Sequence, residues 1–99
     1  MTNNQKKFVY DLFYHKYDMI GKFNYINNVM NSCENSTTLD NAYAWGKDVL
    51  WKWFDQMENE INAKFGTLSA VSLWRYVFNR TKDLGRELQN NYTALLKGI

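Results

Sequence analysis

The chain has 99 residues, 45% hydrophobic and 17% aromatic, with no proline, one cysteine and a net charge of +2. That length suits a single domain, residues 1–99, with one core, and the lone Cys33 excludes an intrachain disulfide. So small a net charge is low for a dedicated nucleic-acid binder, and no apolar run is long enough to span a bilayer.

The absence of proline favours long uninterrupted helices, and apolar residues recur at helical spacing through three segments. The first runs from about Asn4 to Cys33. Its core stripe is Phe8, Val9, Leu12, Met19, Phe23, Ile26 and Met30, with Phe13 and Ile20 beside it and Lys16 as a polar interruption. Gly21 sits in mid-segment, where glycine costs about 1 kcal/mol against alanine, and marks a kink or a close helix approach. Well away from the core direction, Tyr10, Tyr14, Tyr17 and Tyr25 follow helical spacing with Gly21 to make a second row, almost wholly of tyrosine. Three roles are open for it. The rings could wedge over the bundle with their hydroxyls in water, form a homodimer seam, or make the contact face for another protein, where tyrosine is enriched.

Glu34 to Thr38 reads as a connection. Thr37 or Thr38 is the expected N-cap of the second segment, with Asp40 at the favourable end of the helix dipole. The stripe Leu39, Tyr43, Gly46, Leu50, Trp53, Phe54, Met57, Ile61 and Phe65 follows, and Gly66 closes the segment in the left-handed position that glycine tolerates. After the connection Gly66-Thr67, the third segment starts with Thr67 or Ser69 as cap. Val71, Trp74, Phe78, Thr81, Gly85, Leu88, Tyr92 and Leu95 alternate spacings of three and four, as in a heptad seam. Gly46 and Gly85 lie on these stripes, where a small residue lets helices approach. Short connections force antiparallel neighbours. The expected fold is all-α, an antiparallel three-helix bundle of long helices, or four helices if the chain breaks near Gly21.

Charge is unevenly spread. Residues 34–65 hold three lysines against six acids, while residues 66–99 hold five basic residues against two acids. Mutual attraction of the helices is the plain explanation. Trp45 and Tyr76 fall opposite their own stripes and Trp51 at the edge of its stripe, so every segment carries an aromatic directed away from the core.

Catalytic patterns are missing. His15, the only histidine, has Asp11 and Asp18 one turn away on either side but no nearby nucleophile, and one His with one Cys offers too few soft ligands for a structural zinc site. No phosphate loop, GxSxG or HExxH occurs, and the pairs Asp48/Asp55 and Glu58/Glu60 do not converge as catalytic carboxylates do. The sequence therefore points to no enzyme, no metal and no cofactor. Arg75, Asn79, Lys82 and Arg86 form one strip on the third segment that could touch phosphates and a base edge, or could pair with Asp48, Asp55 and Glu58 of the second. The segments are too long and their connection too short for a helix-turn-helix.

No motif of a known family is present. The Asn-rich, Lys-rich composition suits an AT-rich genome, and the lysine-bearing N-terminus lacks a signal-peptide apolar run, which makes the cytoplasm the expected location. The expected function is a non-catalytic interaction protein of a phage or mobile element. Its partner is expected to be a larger host protein, such as a CRISPR effector or other defence nuclease. Contact would come from Tyr10, Tyr14, Tyr17, Tyr25, Trp45 and Tyr76, and the acidic residues Asp40, Asp48, Asp55, Glu58 and Glu60 would imitate phosphate at a basic channel. The alternatives are a nucleic-acid-binding accessory protein using the basic strip, and a homodimeric structural protein. No membrane partner is expected.

Overall fold

Helix formation starts at the second residue. Thr2 Oγ1 accepts the Gln5 N–H at 3.2 Å while Gln5 Oε1 accepts the Thr2 N–H at 2.8 Å. This reciprocal pair is a capping box, written in the sequence as TNNQ. The computed structural model, which describes residues 1–99, continues as α1 (Asn3–Tyr10), a π-helical turn (Asp11–Lys16), α2 (Met19–Asn31), α3 (Ser36–Phe65) and α4 (Val71–Gly98). The π turn joins α1 and α2 into one bent arm. That arm, α3 and α4 run up, down and up as an antiparallel three-helix bundle of 47 × 19 × 17 Å. At 1.5 Å per residue, α3 alone spans about 45 Å of the long axis.

The bend in the first arm lies just before Gly21, at Asp18. In the π turn a backbone N–H reaches five residues back, as Tyr17 N–H does to the Leu12 carbonyl at 2.9 Å. Asp18 then adopts the left-handed conformation, φ 44° and ψ 58°, which Asp tolerates better than most residues. Its carboxylate accepts the Gly21 N–H at 3.1 Å and so starts α2. A Cβ on Gly21 would lie 2.6 Å from Asp18 Cγ. The glycine therefore makes room for the cap of the restarted helix and is not itself the break.

The other starts also differ from expectation. The N-cap of α3 is Asn35, whose side chain accepts the Thr38 N–H at 3.0 Å. Neither Thr37 nor Thr38 takes that place, because Ser36 is already helical. Neither Thr67 nor Ser69 caps α4. The chain turns through residues 67–70 instead, with Ala70 N–H on the Gly66 carbonyl at 3.0 Å, and Ala70 opens the helix with no side-chain cap. Gly66 ends α3 as expected, but at φ 81° and ψ 150° it takes a positive-φ extended conformation open to glycine and not the left-handed helical one.

Seventeen buried apolar side chains make one continuous core. The stripes of the first two segments lead into it, with Ala42 as an addition on α3 and Phe13 fully buried rather than flanking. On α4 the fully buried row is Leu73, Val77, Thr81, Leu84 and Leu88. The heptad seam of the sequence is the adjoining side, where Phe78 packs on Trp51 and Phe54, and Tyr92 stacks on Tyr43. Both rows are needed because α4 packs against α3 and also against α1 and α2. Gly46 is the close-approach point: a Cβ there would overlap Ile26 of α2 and lie 3.3 Å from Leu88 of α4. No such neighbour lies within 4 Å of a Cβ built on Gly85. Three asparagines fix the α2–α4 register, Asn91 Nδ2 donating to Asn27 Oδ1 at 2.7 Å and Asn31 Oδ1 at 3.3 Å.

Attraction between the acidic and basic thirds is sparsely realised. Lys16–Glu60, at 2.6 Å, is the one ion pair between helical arms, while Arg80 and Arg86 pair within α4 to Asp83. No helix is long and apolar enough to cross a membrane.

Candidate functional site

The tyrosine row does not survive folding as one stripe. The π turn uses more residues per turn than an α-helix, and the left-handed Asp18 resets the phase. Tyr10 and Tyr14 therefore face α4. Tyr10 packs on Tyr76 at 5.3 Å between ring centroids, and Tyr14 accepts from Arg80 Nε at 3.2 Å. Burial, with the Tyr10 and Tyr14 hydroxyls close by, pushes the Tyr76 hydroxyl well above its ordinary pKa. Tyr76 is thus half-buried at the α1–α4 contact, not an outward aromatic.

Tyr17 and Tyr25 face α3. Tyr17 packs on Trp53 at 5.5 Å and donates to the Glu60 carboxylate, which also takes Lys16. Lys22 Nζ lies 4.7 Å from the Trp53 ring centroid. Farther along, Tyr25 meets Trp45 edge to face at 6.1 Å. These two rings are the most exposed of the tyrosines and tryptophans beyond Tyr10, at 62% and 42%. The α2–α3 side thus carries a run of aromatics from Tyr17 and Trp53 to Tyr25 and Trp45.

Asp48 and Asp55 are exposed on α3 and Glu58 is half-buried, and none of the three takes part in an ion pair. Asp40 accepts the Tyr92 hydroxyl. Arg75, Asn79, Lys82 and Arg86 are all exposed on α4. The pairing of this strip with Asp48, Asp55 and Glu58 does not occur: Arg86 reaches only Asp83, at 3.9 Å, and Arg75 and Lys82 have no ion-pair partner. His15 is exposed, without a hydrogen bond to Asp11 or Asp18.

A groove of about 250 Å³ opens between α3 and α4. Tyr43, Lys47 and Trp51 line it from α3; Lys82, Gly85 and Arg86 line it from α4. Lys47 lies over the Tyr43 ring, 4.5 Å from its centroid, and that ring also stacks on Tyr92 at 4.3 Å. Trp51 is half-buried, braced by Phe54 and Phe78 at 5.5 and 5.4 Å. Sequence reasoning found Lys82 and Arg86 but missed Lys47. The spacing of Tyr43, Lys47 and Trp51, four residues each, was the available sign that all three share one helix face.

Comparison with known protein families, with curated proteins and with solved structures returned no match.

Proposed function

We propose that this protein is a non-catalytic interaction module that docks on a larger protein through its α2–α3 side and occludes the surface it covers. The observation that carries this reading is the Tyr25–Trp45 pair, two large rings from different helices, in mutual contact and about half exposed. Rings of this kind dominate contact energies at the centres of protein interfaces. Both sit on rigid helices and brace one another, so little side-chain freedom remains to be lost on binding.

The outward side of α3 sharpens the partner class. Asp48 and Asp55 are exposed and free of ion pairs, so they suit a basic surface such as the nucleic-acid channel of a nuclease. An inhibitor carried by a phage or mobile element and aimed at a host defence nuclease, for example a CRISPR effector, is the form of the proposal that joins these carboxylates to the AT-rich coding bias.

The test is capture by immobilised protein from nuclease-treated lysate of a low-GC bacterium, followed by mass spectrometry. A specific protein partner should be retained by the native chain, lost with Tyr25→Ala/Trp45→Ala, and weakened by Asp48→Lys/Asp55→Lys. Retention unchanged by the aromatic double variant overturns the proposed face.

A further inference from the structure

Gly85 is unexplained by the fold. It lies inside α4, where glycine is less stable than alanine. It has no left-handed backbone, and a Cβ built on it meets nothing within 4 Å. At Gly46 the missing side chain admits Ile26 and Leu88; at Gly85 it admits only solvent. The space left open is the floor of the α3–α4 groove. A helix-interior glycine with no packing neighbour is what a close-approaching ligand requires.

The rest of the groove indicates the ligand. Lys47, Lys82 and Arg86 surround the open floor, and Lys47 and Lys82 have no carboxylate partner. Trp51 adds a braced indole to the same lining. Cations beside an aromatic ring are the combination that holds a nucleic-acid strand, phosphates on the charges and a base on the ring. Arg75 and Asn79 continue the exposed strip along α4 beyond the groove, so that from Arg75 to Arg86 it runs about 16 Å along the helix. A strand could follow that length; an isolated nucleotide would use only the groove. A duplex keeps its bases stacked inside and could not present one to Trp51.

We infer that the α3–α4 groove binds single-stranded nucleic acid, with a base over Gly85 against Trp51 and the backbone along Lys47, Lys82 and Arg86. The inference goes beyond the proposed protein contact and stands on a different face of α3. Variants at Tyr25 and Trp45 leave the groove intact, so the two can fail separately.

The experiment is fluorescence anisotropy of the whole chain with a labelled fifteen-residue oligothymidine across a salt series. Binding should weaken with salt, with a log–log slope of about 2 for three phosphate contacts on a single strand. Gly85→Leu, whose Cβ meets nothing within 4 Å and whose longer side chain occupies the groove, should weaken binding about tenfold or more while circular dichroism shows an intact helical fold. Lys82→Gln/Arg86→Gln, entirely on the surface, should weaken it similarly and lower the salt slope. Equal binding by Gly85→Leu overturns the inference. Equal competition by polyglutamate, by duplex DNA or by a free mononucleotide also overturns it, because each would reassign the groove to another ligand.

Discussion

Tyr17 and Glu60 show how one contact across the bundle couples two titrations. Burial alone would push the Glu60 carboxyl up, but hydrogen bonds from Lys16 and Tyr17 outweigh it and hold the pKa below the ordinary 4.5. The same hydrogen bond, with burial and the nearby negative charge, pushes Tyr17 from 10.0 up to about 12. The signs are opposite in pH. Glu60 binds its proton less readily in the folded chain, so its contribution is complete above pH 4.5 and is lost as pH falls through the lower folded value. Tyr17 holds its proton more tightly when folded, so its contribution is complete below pH 10.0 and is lost as pH rises towards 12. We expect urea midpoints to fall between pH 9 and pH 11 less steeply in Tyr17→Phe than in the native chain. Tyr76 titrates late in both proteins and cancels in the comparison. Identical slopes would show that the Tyr17–Glu60 contact does not persist in solution.

At the scale of elements, two glycines on neighbouring stripes carry opposite expectations. Gly46→Ala gains about 1 kcal/mol of helix propensity but drives a methyl into Ile26, and overpacking of this kind costs about 1–3 kcal/mol. Its net effect is destabilising or close to neutral. Gly85→Ala meets no neighbour and keeps the propensity gain, raising stability by about 1 kcal/mol. Urea denaturation of the two single variants checks the order. A less stable Gly85→Ala would mean that the groove closes onto α4 in solution. In the first arm a single helical stripe does not hold. Helical phase is additive only while every turn has the same geometry, and the π turn together with left-handed Asp18 breaks that addition between Tyr14 and Tyr25.

At the scale of the molecule, the bundle is a short rod. Its radius of gyration of 15.3 Å exceeds the roughly 13 Å expected of a compact domain this long. Length follows from three elements that run nearly end to end, and the narrow width leaves each helix with an outward side. That geometry explains how a 99-residue chain can present a Tyr25–Trp45 side and a separate cationic groove while burying one core. A module that works by docking on a different protein should remain monomeric. Small-angle scattering should therefore give a radius of gyration near 15 Å plus the hydration layer, independent of concentration. Growth with concentration, abolished by Tyr25→Ala/Trp45→Ala, would instead favour the homodimer.

Local chemistry alone determined much of this protein. The lack of proline, the three apolar periods and the glycine after Phe65 specify a long all-α bundle, because hydrophobic period and helix-terminating residues act within a few positions of themselves. The capping box at Thr2 and the Asn35 cap are equally local signals, each set within four residues. The candidate contacts were less legible. A uniform period puts Tyr10, Tyr14, Tyr17 and Tyr25 on one face, but the backbone does not keep that period, and Tyr76 is covered by a helix distant in sequence. Lys47 joins Lys82 and Arg86 only because antiparallel packing sets the middle of α3 beside the middle of α4. Which side of a helix meets another, and which is left to solvent, depends on crossings between residues tens of positions apart, and only the tertiary structure decided it.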